Sequence, residues 1–404
     1  METNNSKVLI VGDVHLGKGL SSLGRPGIGT NLNSRLVDQI KLLDWIFEKS
    51  LEHQVTSIIF TGDIFEDVKP DYSLVKIFFS FLGKCANGEI EVHIVAGNHD
   101  LKRSGANYTS VLDLVDLQDS EYLHFHKHLN TLHFDGLSIT LLPFRDRKSL
   151  SCETHDQALI ELEERLPYEL SEIPSNHDKV LIGHLALEGA IYVGDEVDDQ
   201  ANELMCPLSL FAGYDYVWMG HVHKPQVHSK SPYRAHIGSL DLSDFGESDH
   251  QKILILFDPN LKSKFIEIPV PSRPLKKIVI SIPKDGDATA LVQEELEKIN
   301  KATPLDEAIV RLEVKLEGLE SKNVNRKVIE ELCGNLKVSY LCGFLESRNV
   351  SVVPTAKQSQ IVDNTISPKA AIKHWSQEHN FELPQERESY LAAAHATLEK
   401  LQGK

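Results

Sequence analysis

Short aliphatic runs, each four to six residues long, punctuate the first two-thirds of the chain. They fall at 7–11, 57–61, 91–96, 137–142, 179–183, 216–219 and 252–257, and each is bounded by turn-forming residues, as buried strands are. Between the first two, Leu36, Ile40, Leu43 and Phe47 recur at intervals of three or four, which predicts an amphipathic helix over 33–51. A second helix is predicted over 73–83, where Leu74, Phe78, Phe79, Phe81 and Leu82 cluster. Early alternation of strand and helix, followed by hairpin-like strands, predicts an α/β fold built on a sheet sandwich.

The pattern changes after the proline-rich stretch 269–274. A smaller α+β unit is predicted from strands at 276–283, 308–315 and 336–341 with helices at 289–301 and 325–333. A polar stretch, 353–366, then leads to Ser367-Pro368, a helix cap with proline at the first helical position. Two short helices are expected beyond it, at 369–378 and 385–401, with apolar faces of Ile372 and Trp375 and of Leu391, Ala394, Leu398 and Leu401. The domains expected are therefore 1–270, 271–352 and 353–404. No internal repeat or low-complexity segment interrupts them.

Charge sharpens this division. The 404 residues carry a net charge of −17, yet residues 1–270 hold 40 acidic against 23 basic groups while 271–404 hold 19 of each. Within the first module, 151–203 alone contains 14 acidic and 2 basic residues, so the remaining surface is much closer to neutral. Taken whole, the acidity argues against an autonomous nucleic-acid binder. No apolar run approaches the ~18 residues of a membrane span. The polar start shows no secretory pattern, and five cysteines without a CxxC pair fit a reduced, cytoplasmic chain.

Five short motifs follow predicted strands: Gly12-Asp13-Val14-His15, Gly62-Asp63, Gly97-Asn98-His99-Asp100, Gly183-His184 and Gly220-His221-Val222-His223. Strand ends are where an α/β scaffold presents functional groups. One Gly-His at a strand end is ordinarily a cap or a core residue, and one Gly-Asp a turn; five in succession are not. Together they offer two Asp, one Asn and four His, with His99 left over. An O/N donor set without cysteine suits Mn²⁺, Fe²⁺ or Zn²⁺, and seven ligands suit two ions with an aspartate between them. The cluster His124, His126, His128 has no such context and reads as surface or sheet. The Gly- and Ser-rich segment 18–33 matches neither a P-loop nor GxGxxG; it reads either as a loop lining a nucleic-acid entrance or as plain surface.

The ordered set GDVH, GDxxxD, GNHD, GH and GHVH resembles the calcineurin-like metallophosphoesterase superfamily. GDVHLG, GHLALEGA and GHVHKPQ narrow the resemblance to the SbcD-type DNA nucleases, partners of the SbcC ABC ATPase. The resemblance implies a four-layer αββα sandwich with a small α+β capping domain and a C-terminal helix pair that contacts the ATPase; packing of that pair against the capping domain is the alternative. It implies one metal on Asp13, His15, Asp63 and His223 and a second on Asp63, Asn98, His184 and His221, with Asp63 bridging and Mn²⁺ as the ion expected. His99 would be the general acid, and Asp100 either accepts its other ring proton or is a simple turn carboxylate. Glu66 departs from the pattern, because some relatives carry a histidine there. The function implied is Mn²⁺-dependent exonuclease and endonuclease action on DNA in repair, recombination and replication. Modest intrinsic DNA affinity would be supplemented by the ATPase. A homodimer within a heterotetramer is implied too, for which the Phe78/Phe79/Phe81 cluster and the helix from Asn33 are candidate surfaces; an ordinary buried helix is the plainer reading. A phosphatase or small-molecule phosphodiesterase is the alternative, though the arginine that protein phosphatases carry before GNHE is absent from Val95-Ala96-Gly97.

Overall fold

A computed structural model describes residues 6–26, 32–104, 107–193, 203–283, 287–317 and 323–349. Its sheets and helices lie almost wholly in one compact unit drawn from Met1–Ile282, Gly286–Lys315 and Lys322–Ser347. The helices expected at 369–378 and 385–401 fall outside the described residues.

Two six-stranded sheets face each other. The first contains β1 (Val8–Val11), β2 (Ser57–Phe60), β3 (Glu91–Val95), β6 (Leu123–His126), β15 (Ile253–Phe257) and β16 (Phe265–Pro269), in the order β16-β15-β1-β2-β3-β6. The second contains β7 (Asn130–Phe134), β8 (Leu137–Leu142), β9 (Asp178–Gly183), β12 (Tyr216–Met219), β13 (Gln226–Lys230) and β14 (Tyr233–His236), in the order β13-β14-β12-β9-β8-β7. Two small ladders complete this module, β4 (Lys102–Ser104) with β5 (Asn107–Thr109), and β10 (Ala186–Leu187) with β11 (Met205–Cys206).

The period-two alternation of strand side chains sets the layers. Val8 and Ile10 of β1 turn inward with Ile59, Val95, Ile139, Val180, Ile182 and Trp218 to form the core between the sheets. Leu9 and Val11 turn outward, where they meet helices α1 (Ser34–His53) and α2 (Tyr72–Asn87). Asn33 caps α1 by accepting from the Arg35 N–H, and Asp71 caps α2 by accepting from the Ser73 N–H. The outer face of the second sheet packs Leu181, Val217 and Met219 against Ala158, Leu162 and Leu166 of α3 (His155–Ser171). The result is helix, sheet, sheet, helix. Phe78 and Phe81 lie edge-on to Phe60 in the interior of the first layer, while Phe79 is half-buried at its edge.

The smaller module is a three-stranded sheet of β17 (Leu275–Ile282), β18 (Ile309–Glu317) and β19 (Tyr340–Asn349), packed against α4 (Ala288–Ala302) and α5 (Arg326–Asn335). Its last strand starts four residues later than predicted. A turn at 336–339, with Lys337 at φ 57°, carries the chain around first. Leu275 and Ile309 reach back to Leu23 and Leu242, and the Arg273 guanidinium grips both Asp38 oxygens of α1 at 2.7 Å each. Among the described residues no helix is long and apolar enough to cross a membrane.

The strand register matters most for chemistry. Val11 pairs with Phe60 and Ile94 with Phe60, while Gly183 pairs with both Leu142 and Met219. The strands are parallel at these positions, so the residues that follow them emerge along one end of the sandwich.

Candidate metal centre

All seven candidate ligands and His99 gather at that end. Three of them, His15 (φ 45°), Asp63 (φ 49°) and His221 (φ 82°), sit in the left-handed region that side chains ordinarily avoid. Strain of this kind persists where surrounding structure over-determines it, typically at functional sites. The turns are tight enough that a Cβ on Gly62 would lie 2.5 Å from His184 Nδ1, and one on Gly97 would lie 2.1 Å from Asp63 Oδ1. Glycine is therefore a geometric requirement at both.

Donor atoms of Asp13, His15 and His223 lie within 4.8 Å of one another, and so do those of Asp63, His184 and His221. In the first group His15 Nε2 and His223 Nε2 face each other at 2.9 Å. In the second, His184 Nε2 and His221 Nδ1 converge on the Asn98 Oδ1 at 2.9 and 3.0 Å. Asp63 stands between the groups, its Oδ2 3.3 Å from His184 Nε2 and 3.6 Å from His15 Nε2. Imidazole nitrogens and carboxylate oxygens aimed inward, in a pocket where Asp13, Asp63, His15, His184 and His223 are buried, are a set that cations satisfy and that protons cannot satisfy together. The residues fit two divalent ions.

Each inward histidine meets a partner on its other ring nitrogen. His15 Nδ1 lies 2.8 Å from Glu66 Oε2, His221 Nε2 lies 3.1 Å from Glu203 Oε1, His223 Nδ1 lies 3.5 Å from Glu247 Oε1, and His184 Nδ1 donates to the Thr61 carbonyl at 3.0 Å. Such outer contacts fix tautomer and ring orientation in metal sites. The carboxylates are held as well. Thr61 Oγ1 donates to Asp13 Oδ1 at 2.9 Å, the His221 N–H donates to Asp13 Oδ2 at 2.7 Å, and the His99 N–H donates to Asp63 Oδ1 at 2.8 Å.

Charge follows from these contacts. Burial pushes His223 down to about 4 despite Glu247 beside it, so its imidazole is neutral. Burial opposes charge on His184 too, but Asp63 and Asp13 outweigh it and raise the ring to about 9. For Glu66, burial is outweighed by its contact with and attraction to His15, which bring it down to about 2.

Of the two readings open for Asp100, the geometry matches the turn carboxylate. One of its oxygens accepts from the Asp63 and Gly97 N–H groups at 2.8 and 2.9 Å, and the other accepts from the Ile64 N–H at 2.9 Å. The His99 Nδ1 instead donates to the Glu66 carbonyl at 2.6 Å. The reason is local: Asp100 closes the turn that begins at Gly97, so its carboxylate points back into the two ligand loops. It holds Asp63 rather than orienting His99. Glu203 and Glu247 had no motif to mark them, and Glu66 stood out only as a departure. Lys18 belongs to the site's margin, its Nζ 3.6 Å from Glu66 Oε1. His124 and His126 lie on β6 as sheet residues; His124 stacks on His93, and the His126 ring lies tilted 5.3 Å from it.

A family model for calcineurin-like phosphoesterases matches residues 6–225. SbcD of the nuclease SbcCD from Staphylococcus epidermidis is 26% identical over 314 residues, covering 73% of this chain and 76% of that protein. A dimetal phosphatase from Danio rerio aligns in three dimensions with a TM-score of 0.39 and 12% identity, covering 66% of this chain and 99% of that one.

Proposed function

The chain belongs to the calcineurin-like phosphoesterase family, and from that footing we propose that it is a Mn²⁺-dependent DNA nuclease. It acts as an exonuclease and endonuclease in DNA end processing, together with an SbcC-type ABC ATPase. The observation that carries the reading is the meeting of the two donor groups on Asp63. The identity to a protein named as part of a nuclease supports the choice of substrate.

Asp13, His15, Asp63 and His223 would hold one ion, and Asp63, Asn98, His184 and His221 the other. Bound there, two divalent ions supply a hydroxide near neutral pH and neutralise charge building on the phosphate. The protein's own groups do the rest. Thr61 and the His221 N–H keep Asp13 from rotating, and Asp100 keeps the Asp63 and Gly97 loops in register. His99 donates through Nδ1 to the Glu66 carbonyl, which leaves Nε2 to protonate the departing oxygen. Burial opposes its charge, yet Asp63 and Glu66 together raise its pKa above the ordinary value, which favours the acid form this role needs. Phe144 packs its ring 6.2 and 6.0 Å from those of His184 and His221 and covers that flank of the site.

Residues 271–352 form the capping domain in this reading, and 353–404 the contact to the ATPase. Deleting 367–404 should abolish ATPase association and leave nuclease folding intact; retained association contradicts that part. The chemistry is tested by His99→Ala, assayed for Mn²⁺-dependent cleavage of linear duplex and hairpin DNA. A fall of at least about 100-fold is expected, and undiminished cleavage removes His99 from the mechanism. Strong turnover of phosphomonoesters with no DNA cleavage would make the chain a phosphatase instead.

A further inference from the structure

Lys252 and Glu247 are both completely buried, in a region with no expected role. Lys252, just before β15, uses all three ammonium protons: Nζ lies 2.8 Å from Glu247 Oε2, 2.7 Å from Ser239 Oγ and 2.8 Å from the His223 carbonyl. The other Glu247 oxygen accepts from Ser243 Oγ at 2.9 Å and faces His223 Nδ1 at 3.5 Å. The same lysine thus grips His223 by its backbone and, through Glu247, by its ring. The grip extends to Asp13, because Ser239 bridges to Asp13 and the Leu240 N–H donates to the Asp13 carbonyl at 2.7 Å.

Stability is a poor explanation for this pair. Removing two charges from water costs several kcal/mol per ion, and an apolar pair of similar volume is often as stable. The partners of the other outer nitrogens are built differently. His15 and His221 use carboxylates with side chains 30% and 11% exposed, and His184 uses a backbone carbonyl.

We propose that Glu247 and Lys252 are positioning residues for His223: Lys252 holds Glu247 as a carboxylate against Nδ1, and this commits Nε2 to the metal beside Asp13. The inference rests on the reading of Asp13, His15, Asp63 and His223 as one metal site.

Two variants of the full chain test it, Glu247→Gln and the double variant Glu247→Leu/Lys252→Met. Mn²⁺ binding is followed by titration calorimetry, with the thermal midpoint recorded in the absence of metal. In both variants one of the two ions should bind about 10- to 100-fold more weakly, the other should stay within threefold of wild type, and the double variant should keep its thermal midpoint. Wild-type affinity for both ions in either folded variant overturns the proposal. So does equal weakening of both ions with a fallen midpoint, or failure of both variants to fold, since each assigns the pair to stability alone. A wild-type chain that binds two Mn²⁺ but leaves DNA intact would remove the nuclease reading and leave this one standing. Unchanged Mn²⁺ binding in variants that still cut DNA would do the reverse.

Discussion

Gly97→Ala adds a single carbon to the wall behind Asp63. That carbon would lie 2.1 Å from Asp63 Oδ1, 2.8 Å from its Cγ and 2.4 Å from its backbone nitrogen. Real contacts of this kind stay above 3.0 Å, so the carboxylate must retreat by about 1 Å, several times the ~0.2 Å latitude of a metal–ligand bond. It cannot pivot freely, because Oδ1 is bonded to the His99 N–H and the backbone N–H is bonded to Asp100. In the proposed centre both ions share this residue, so both should weaken. Cleavage should fall at least ~100-fold, as a 1 Å misplacement commonly does. The overpacking should lower stability by about 1–3 kcal/mol. Calorimetric titration with Mn²⁺ beside a DNA cleavage assay reads both effects. A variant that binds two ions with wild-type affinity and cuts DNA within threefold of wild type would refute the assignment of Asp63 as the shared ligand.

Further predictions concern the frame around the site. Arg273→Ala removes the two-pronged bond to Asp38 that joins the smaller module to α1, and should lower stability by about 1–3 kcal/mol, read as a shifted urea midpoint. On β6, burial first and the neighbouring His93 and His124 next push His126 down to about 3. The unfolded chain takes up that proton near pH 6.5, so this contribution is whole above 6.5 and is lost as the pH falls toward 3, by at most about 1.4 kcal/mol per unit. In EDTA, stability of His126→Gln should therefore depend less steeply on pH than wild type; equal slopes contradict this. Burial raises the thiols of Cys85 and Cys206 to about 12 and that of Cys333 to about 11. A thiol reagent at pH 8 should label half-buried Cys152 first and these three only on unfolding.

The cluster of candidate ligands was legible because its chemistry and its backbone demands coincide in sequence. Gly62 and Gly97 are required by close approach, and the aliphatic runs before them are strands by length and composition, so Asp63 and Asn98 were marked from both sides. Glu66, Glu203 and Glu247 carried no such mark. Each is one acid among many, and its place beside a histidine depends on register between distant strands. The helix α3 was missed for a related reason. Its Thr154/Gln157 capping box and its buried Ala158, Leu162 and Leu166 were present, but the acidic run around them read as charge rather than as the solvated face of a helix. Asp100 stayed open in sequence because adjacency to His99 suggests contact, whereas the tight turn from Gly97 points the two side chains at different neighbours.

The central claim is that one carboxylate, Asp63, joins two metal sites into a single centre. Electron paramagnetic resonance of the full chain titrated with Mn²⁺ tests it most directly. Two ions per chain, giving a spin-coupled spectrum that collapses to that of isolated Mn²⁺ in Asp63→Asn, is the predicted result. A wild-type chain that saturates with a single ion, or with two that never couple, would contradict it.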